Sequence, residues 1–258
     1  MVPGLVFFDV LALVCVTSLW SASAWVAWWV FGRLIEWLPL PVVVPIAALA
    51  GVFTLIFVVG VVHRLLPRIK PGRYRIMKDP MFFIWVSRFI LNRALFAPGL
   101  QTLLFQFNTL RYFSLRALGA KVSFSTSMSS DAVILDPWLL EAGPGATIGT
   151  GCLVSGHFID DGRLVLGKVN LGEGALLAAR VMVAPGARIG ARARVLAGVM
   201  MGVDVEIGER AVVGADVGLE GGVVIAPGVR LGASTFVHKG AHVLEDTPAK
   251  AVIGAPPS

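Results

Sequence analysis

The chain has 258 residues, of which 56% are hydrophobic and only 15% charged, with a mean hydropathy of +0.80; this balance excludes an ordinary water-soluble domain and calls for membrane spans. The formal net charge of +6 is unevenly laid out, because residues 1–62 carry one basic and two acidic side chains, 63–121 eleven and one, and 122–258 ten and thirteen. Positive charge directly behind apolar spans reads as a collar for anionic lipid head groups, at about 1 kcal/mol per Lys or Arg, and nucleic acid is not an expected partner.

Val10–Phe31 runs 22 residues without a charge and Leu40–Val62 runs 23. A hydrocarbon core needs about 20 helical residues, so residues 1–62 read as a two-helix transmembrane hairpin. The first run lacks the basic start and small-residue cleavage site of a signal peptide. Arg64, Arg68, Lys70, Arg73, Arg75 and Lys78 follow the second run, whereas the link between the runs holds only Arg33 and Glu36. The positive-inside bias therefore puts the far end of the second helix, and with it the N-terminus, on the cytoplasmic side of a bacterial-type inner membrane. Trp25, Trp28, Trp29 and Trp37 cluster at the hairpin tip as an aromatic belt would. Asp9 is expected in solvent at the end of its span, and His63 in the lipid-facing collar.

Residues 63–121 form a basic linker. Met81–Phe96 and Leu100–Leu118 are apolar and aromatic, with Arg88, Arg93, Arg111 and Arg116 spaced through them and Pro98-Gly99 between them. They suit interfacial helices lying on the membrane, or helices packed as core beneath the next domain.

From Val165 the chain divides into fourteen hexapeptides ending at Pro248, headed by Val165, Leu171, Leu177, Val183, Ile189, Val195, Met201, Ile207, Val213, Leu219, Ile225, Leu231, Val237 and Val243. Every fifth position is Ala, Val or Thr, and Gly often holds the second. A period of six with an aliphatic head predicts a parallel β-helix over 122–258: each hexad supplies a strand and a corner, three corners close a turn, and the aliphatic residue points into the prism. Gly and Asp suit corners because they tolerate positive φ. Ala142, Ile148 and Val154 head three further units, leaving Asp160–Leu164 as a five-residue excess, a loop pushed out at a corner just after His157. The Leu100–Leu118 helix and the tail after Pro248 are the available end caps. Cys15 and Cys152 fall at packing positions and give no disulfide framework.

These hexads, and the tail "DTPAKAVIGAPPS" with its Pro, short gap and Gly-x-Pro, resemble the left-handed β-helix of hexapeptide-repeat acyltransferases. "KPGRYRIM", "NTLRYFSLRALGAKV" and "GHFIDDGRLVLGKVNLGEGA" behind a membrane hairpin look like one unit of the membrane-bound C-terminal region of polylysine-synthetase-type non-ribosomal peptide synthetases, where such units occur in threes. One unit per chain then implies a homotrimer. The resemblance makes His157 the general base that takes a proton from a hydroxyl or amine as it attacks a thioester, with Asp160 or Asp161 available to fix the ring's tautomer. It implies acyl-CoA or a carrier-protein thioester as co-substrate, with Lys239 and Ser234 as candidate CoA contacts. Glu245 stands where a CoA-binding lysine is expected. No metal is implied, since about four turns of coil, or roughly 20 Å, part His157 from His238. His238 and His242 read as exposed corner residues. A non-catalytic trimeric scaffold and a peptide-bond-forming synthetase component are the competing functions.

Overall fold

The computed structural model describes residues 3–97 and 99–254. Helices α1 (Pro3–Leu34) and α2 (Leu40–Leu65) are both long and apolar enough to cross a membrane. They pack closely: Ser23 Oγ donates to the Gly51 carbonyl at 2.6 Å, and Gly51 faces Ala27 so tightly that a Cβ would lie 3.1 Å from it. Small residues at the contact let the two backbones meet. The tryptophans of the tip are exposed, as is Asp9.

Helices α3 (Pro80–Leu95), α4 (Leu100–Gln106) and α5 (Asn108–Ala117) follow. Of the two expected breakers, Gly99 separates α3 from α4 at φ 85, while Pro98 lies outside the described residues. These helices serve as core beneath the coil. Leu91, Leu95, Leu104, Phe105, Leu110 and Leu115 join one buried cluster with Leu55 and Val59 of α2 and the first coil residues. The expected cap at 100–118 is thus present, whereas Phe83, Leu103, Phe107 and Phe113 remain exposed. His63 is not in a lipid-facing collar: it is buried against Arg88 and Trp138, because α2 drives its last turn into the joint where Arg88 also donates to the Pro67 carbonyl at 2.9 Å.

Residues 121–253 form a parallel β-solenoid of about seven turns, the architecture of a left-handed β-helix, with strands of two or three residues stacked in three sheets of seven, six and seven strands. From Asn170 to Val243 each strand lies 18 residues above its neighbour, as Arg188 and Ile189 do on Asn170 and Leu171. Every hexad head from Leu171 to Val243 is buried, and the small fifth residues close the prism between them. Val252–Ile253 stacks on Phe236–Val237 and continues one sheet; residues 255–258 of the expected closing pattern lie outside the described residues.

Two details of the repeat differ from expectation. The positive-φ corner is the fourth residue, occupied by Gly174, Arg180, Gly186, Arg192, Gly198, Asp204, Arg210 and so on. The second-place glycines serve close approach instead, since a Cβ on Gly208 would come within 2.4 Å of the Pro227 nitrogen in the coil above. The interruption is also larger than a five-residue loop. Ala142 lies beneath Leu171, eleven residues beyond the regular offset, and the excess folds as a hairpin of His157–Asp160 and Arg163–Leu166. Val165 therefore heads no hexad; it faces Phe158 and Arg73 across antiparallel ladders, while Leu164 and Leu166 turn inward onto Phe82 and Trp85 of α3. The strand Gly72–Arg75 pairs with Arg163–Leu166, so a segment seven residues beyond α2 completes a three-stranded sheet with the hairpin.

Candidate active site

His157 opens the hairpin, at the point where the chain leaves the prism. Its Nδ1 lies 2.6 Å from Oδ2 of Asp136, which sits one coil below with a fully buried side chain. A buried carboxylate is costly unless its lone pairs are used, and here they are: Trp85 Nε1 donates to Oδ1 at 2.9 Å and the Gly156 N–H donates to Oδ2 at 2.9 Å. Asp136 thus collects only donors, which leaves Nδ1 to carry the ring proton and Nε2 to present a lone pair. Among the described residues Nε2 has no hydrogen-bond partner. The Trp85 ring meets the imidazole edge-on at 4.8 Å between centroids, and the Ser155 hydroxyl donates to the His157 carbonyl at 2.6 Å. Backbone, ring plane and tautomer are each held by a separate contact.

The carboxylate bonded to the His157 ring is therefore Asp136, and neither Asp160 nor Asp161. Asp160 is paired with Arg163 across the exposed end of the hairpin, and Asp161 occupies its turn at φ 43. The alternation of a strand carries Asp160 away from the His157 ring, whereas stacking brings Asp136 beneath Gly156. Sequence reading missed Asp136 and Trp85. A signal for the first existed: Ile134 lies under Val154 at a 20-residue offset, and extending that register sets Asp136 beside His157.

A groove of about 1060 Å³ begins at His157 and climbs one edge of the coil to Lys239 and Gly240. Leu153, Phe158, Met182, Met200 and Val203 make its wall mostly apolar. From the Val154 coil to the Val237 coil is four steps, about 19 Å at the spacing of stacked strands. Lys239 thus shares the groove with His157; its backbone N–H is anchored on Glu220 at 2.7 Å. Ser234 does not line it: at φ 56 it forms the preceding corner of the prism, one sheet away. Glu245 and His242 are exposed, while His238 is half-buried 3.5 Å from Glu220. No group of three His, Cys, Asp or Glu that could hold a metal ion occurs among the described residues.

No protein-family model and no curated protein matches the chain. Among solved structures it is similar to the N-acyltransferase AntD from Bacillus cereus, in complex with dTDP and coenzyme A, at 19% identity over 55% of this chain and 83% of that one, with a TM-score of 0.41. It is also similar to LpxA, a UDP-N-acetylglucosamine acyltransferase from Bacteroides fragilis (16% identity, 51% and 58% of the two chains, TM-score 0.30). The acetyltransferase domain of PglB from Neisseria gonorrhoeae, in complex with acetyl coenzyme A, matches at 19% identity over 57% and 63%, with a TM-score of 0.29. The chain spans about six tenths of the length of the last two. At these scores the likeness carries nothing about chemistry, which rests on the site itself.

Proposed function

We propose that the protein is a membrane-anchored acyltransferase that moves an acyl, acetyl or aminoacyl group from a thioester to a hydroxyl or amine. The observation that carries this reading is the His157 imidazole, fixed through Nδ1 by Asp136 and open at Nε2, at the foot of an apolar groove. Nε2 takes the acceptor's proton as the oxygen or nitrogen attacks the thioester carbonyl; the tetrahedral intermediate collapses, the C–S bond breaks and the imidazolium returns its proton to the departing thiolate. Such a base contributes about 10²- to 10⁴-fold. The donor, acyl-CoA or a carrier-protein thioester, lays its arm along the groove toward Lys239.

The two apolar helices anchor the enzyme in an inner membrane as a multi-pass protein, with the basic collar and the coil on the cytoplasmic side. Three copies associate side by side, giving six membrane helices and grooves that open between neighbouring prisms. This is the arrangement that the likeness to a triple-unit polylysine-synthetase region implies, with peptide-bond formation as one form of the same transfer.

Thiol release tests the reading: full-length protein in lipid nanodiscs receives acetyl-CoA, longer acyl-CoAs or carrier-bound thioesters together with an extract of membrane and soluble acceptors. Wild type is expected to release thiol and His157→Ala to lose that release while keeping its oligomeric state. Equal release by both proteins rejects the assignment, and absence of thioester binding by wild type favours a scaffold.

A further inference from the structure

On the far side of the strand Gly72–Arg75 lies a second cavity, of about 430 Å³, whose lining includes Arg73, Lys168, Asn170, Gly186, Arg188 and Asp204. It shares a wall with the His157 groove, since Arg73, Val165, Pro185, Val203 and Asp204 line both. Three cations face it against one carboxylate. Lys168 is held by Glu141 at 2.9 Å and Arg188 by Glu206; Arg73 makes no ion pair among the described residues.

The backbone supplies a second, independent feature. Corner residues of positive φ normally donate their N–H to the coil beneath: Arg192 to the Glu173 carbonyl at 2.8 Å, Gly198 to Ala179 at 3.0 Å, Asp204 to Pro185 at 2.9 Å. Gly186 is such a corner, at φ 82, but the chain packed against it is Gly167 on its return from the hairpin, whose own N–H donates to the Gly156 carbonyl, and the Gly186 N–H has no hydrogen-bond partner among the described residues. A backbone N–H without a partner, in a cavity whose lining also includes an unpaired guanidinium, a second guanidinium and an ammonium, is a receptor for an oxyanion.

We propose that this cavity binds a phosphate group carried by the acyl acceptor, whose hydroxyl or amine then reaches His157 across the shared wall. The inference rests on the acyl-transfer reading for its purpose, but the binding stands on its own residues. Phosphate is the anion that fits, because Asp204 opposes binding and only a group with several charged oxygens engages Arg73, Lys168, Arg188 and the Gly186 N–H together. The cavity is within reach of the bilayer, since the seven residues from Leu65 to Gly72 span at most about 25 Å. A lipid phosphate and a soluble phosphate ester are both accessible sources.

The test titrates inorganic phosphate into the full-length protein in phosphatidylcholine nanodiscs, followed by calorimetry. Saturable binding is expected, weakened about tenfold by Arg73→Gln through loss of a charge-assisted contact, and weakened also by Arg188→Gln as an independent reading. His157→Ala is expected to bind phosphate as wild type does, so a failure of the catalytic assignment leaves this result untouched. Discs that also contain phosphatidic acid separate the sources: lowered affinity for added phosphate places a lipid headgroup in the cavity, and unchanged affinity assigns it to a soluble ester. No saturable binding to wild type, or equal affinity in wild type and Arg73→Gln, overturns the proposal.

Discussion

From Leu171 to Val243 each coil repeats the one below it at a fixed 18-residue offset, with every inward position aliphatic or small; between Leu135 and Val169 the chain breaks that register, sends out a hairpin and buries a carboxylate. The regular part stores its stability in many similar contacts between neighbours, as solenoids do. The irregular part gathers single contacts from distant places: Asp136 from the coil below, Trp85 from α3, Arg73 from the strand that follows α2. Repetition makes a rod, and the interruption makes a place where unlike groups meet. Stability and chemistry should therefore respond to different substitutions.

The largest expected effect falls on the dyad. Asp136→Asn keeps the shape but replaces an acceptor of three donors with an amide, and turnover is expected to drop on the order of 10²- to 10⁴-fold in the thiol-release assay. Trp85→Phe keeps the ring against the imidazole and removes one donor to Asp136; a fall of about tenfold is expected, the size of one hydrogen bond to a charged group. A Trp85→Phe enzyme with wild-type turnover would show that α3 merely packs there. In the regular coil the response reverses. Ile207→Ala opens a hole in a filled prism and should cost about 2–5 kcal/mol in denaturant unfolding, with turnover per folded molecule retained. The smallest effect belongs to a corner: Arg192→Gly relieves a positive φ of 57°, and a gain of up to about 1 kcal/mol is expected from the same unfolding curves.

The same contrast explains what could be read in the sequence. Leu171 to Val243 announced the coil because each buried position recurs every six residues, and His157 stood out because it borders the slip. Val165 misled because an aliphatic residue fell by coincidence in the hexad frame, while hairpin alternation buried Leu164 and Leu166 instead. Glycines at the second place were visible as a pattern but not as close approaches, since only the stacked coil above shows what a Cβ would strike. Asp136 could be found only by extending the 20-residue register of Ile134 and Val154, and Trp85 was silent, because neither belongs to a repeat and the two meet only once the coil and α3 have closed on each other. Ser234 was a candidate CoA contact, although its place is that of a corner, with positive φ and its N–H donated to the Ala215 carbonyl at 2.8 Å.

The separation of His157 from the rod that carries it is tested most directly by comparing His157→Ala with Ile207→Ala in the same nanodiscs, with thiol release and thermal unfolding recorded for each. The expected result is crossed: the histidine variant melts as wild type does and releases no thiol, while the isoleucine variant melts earlier and still turns over. Wild-type turnover by a well-folded His157→Ala protein would contradict it.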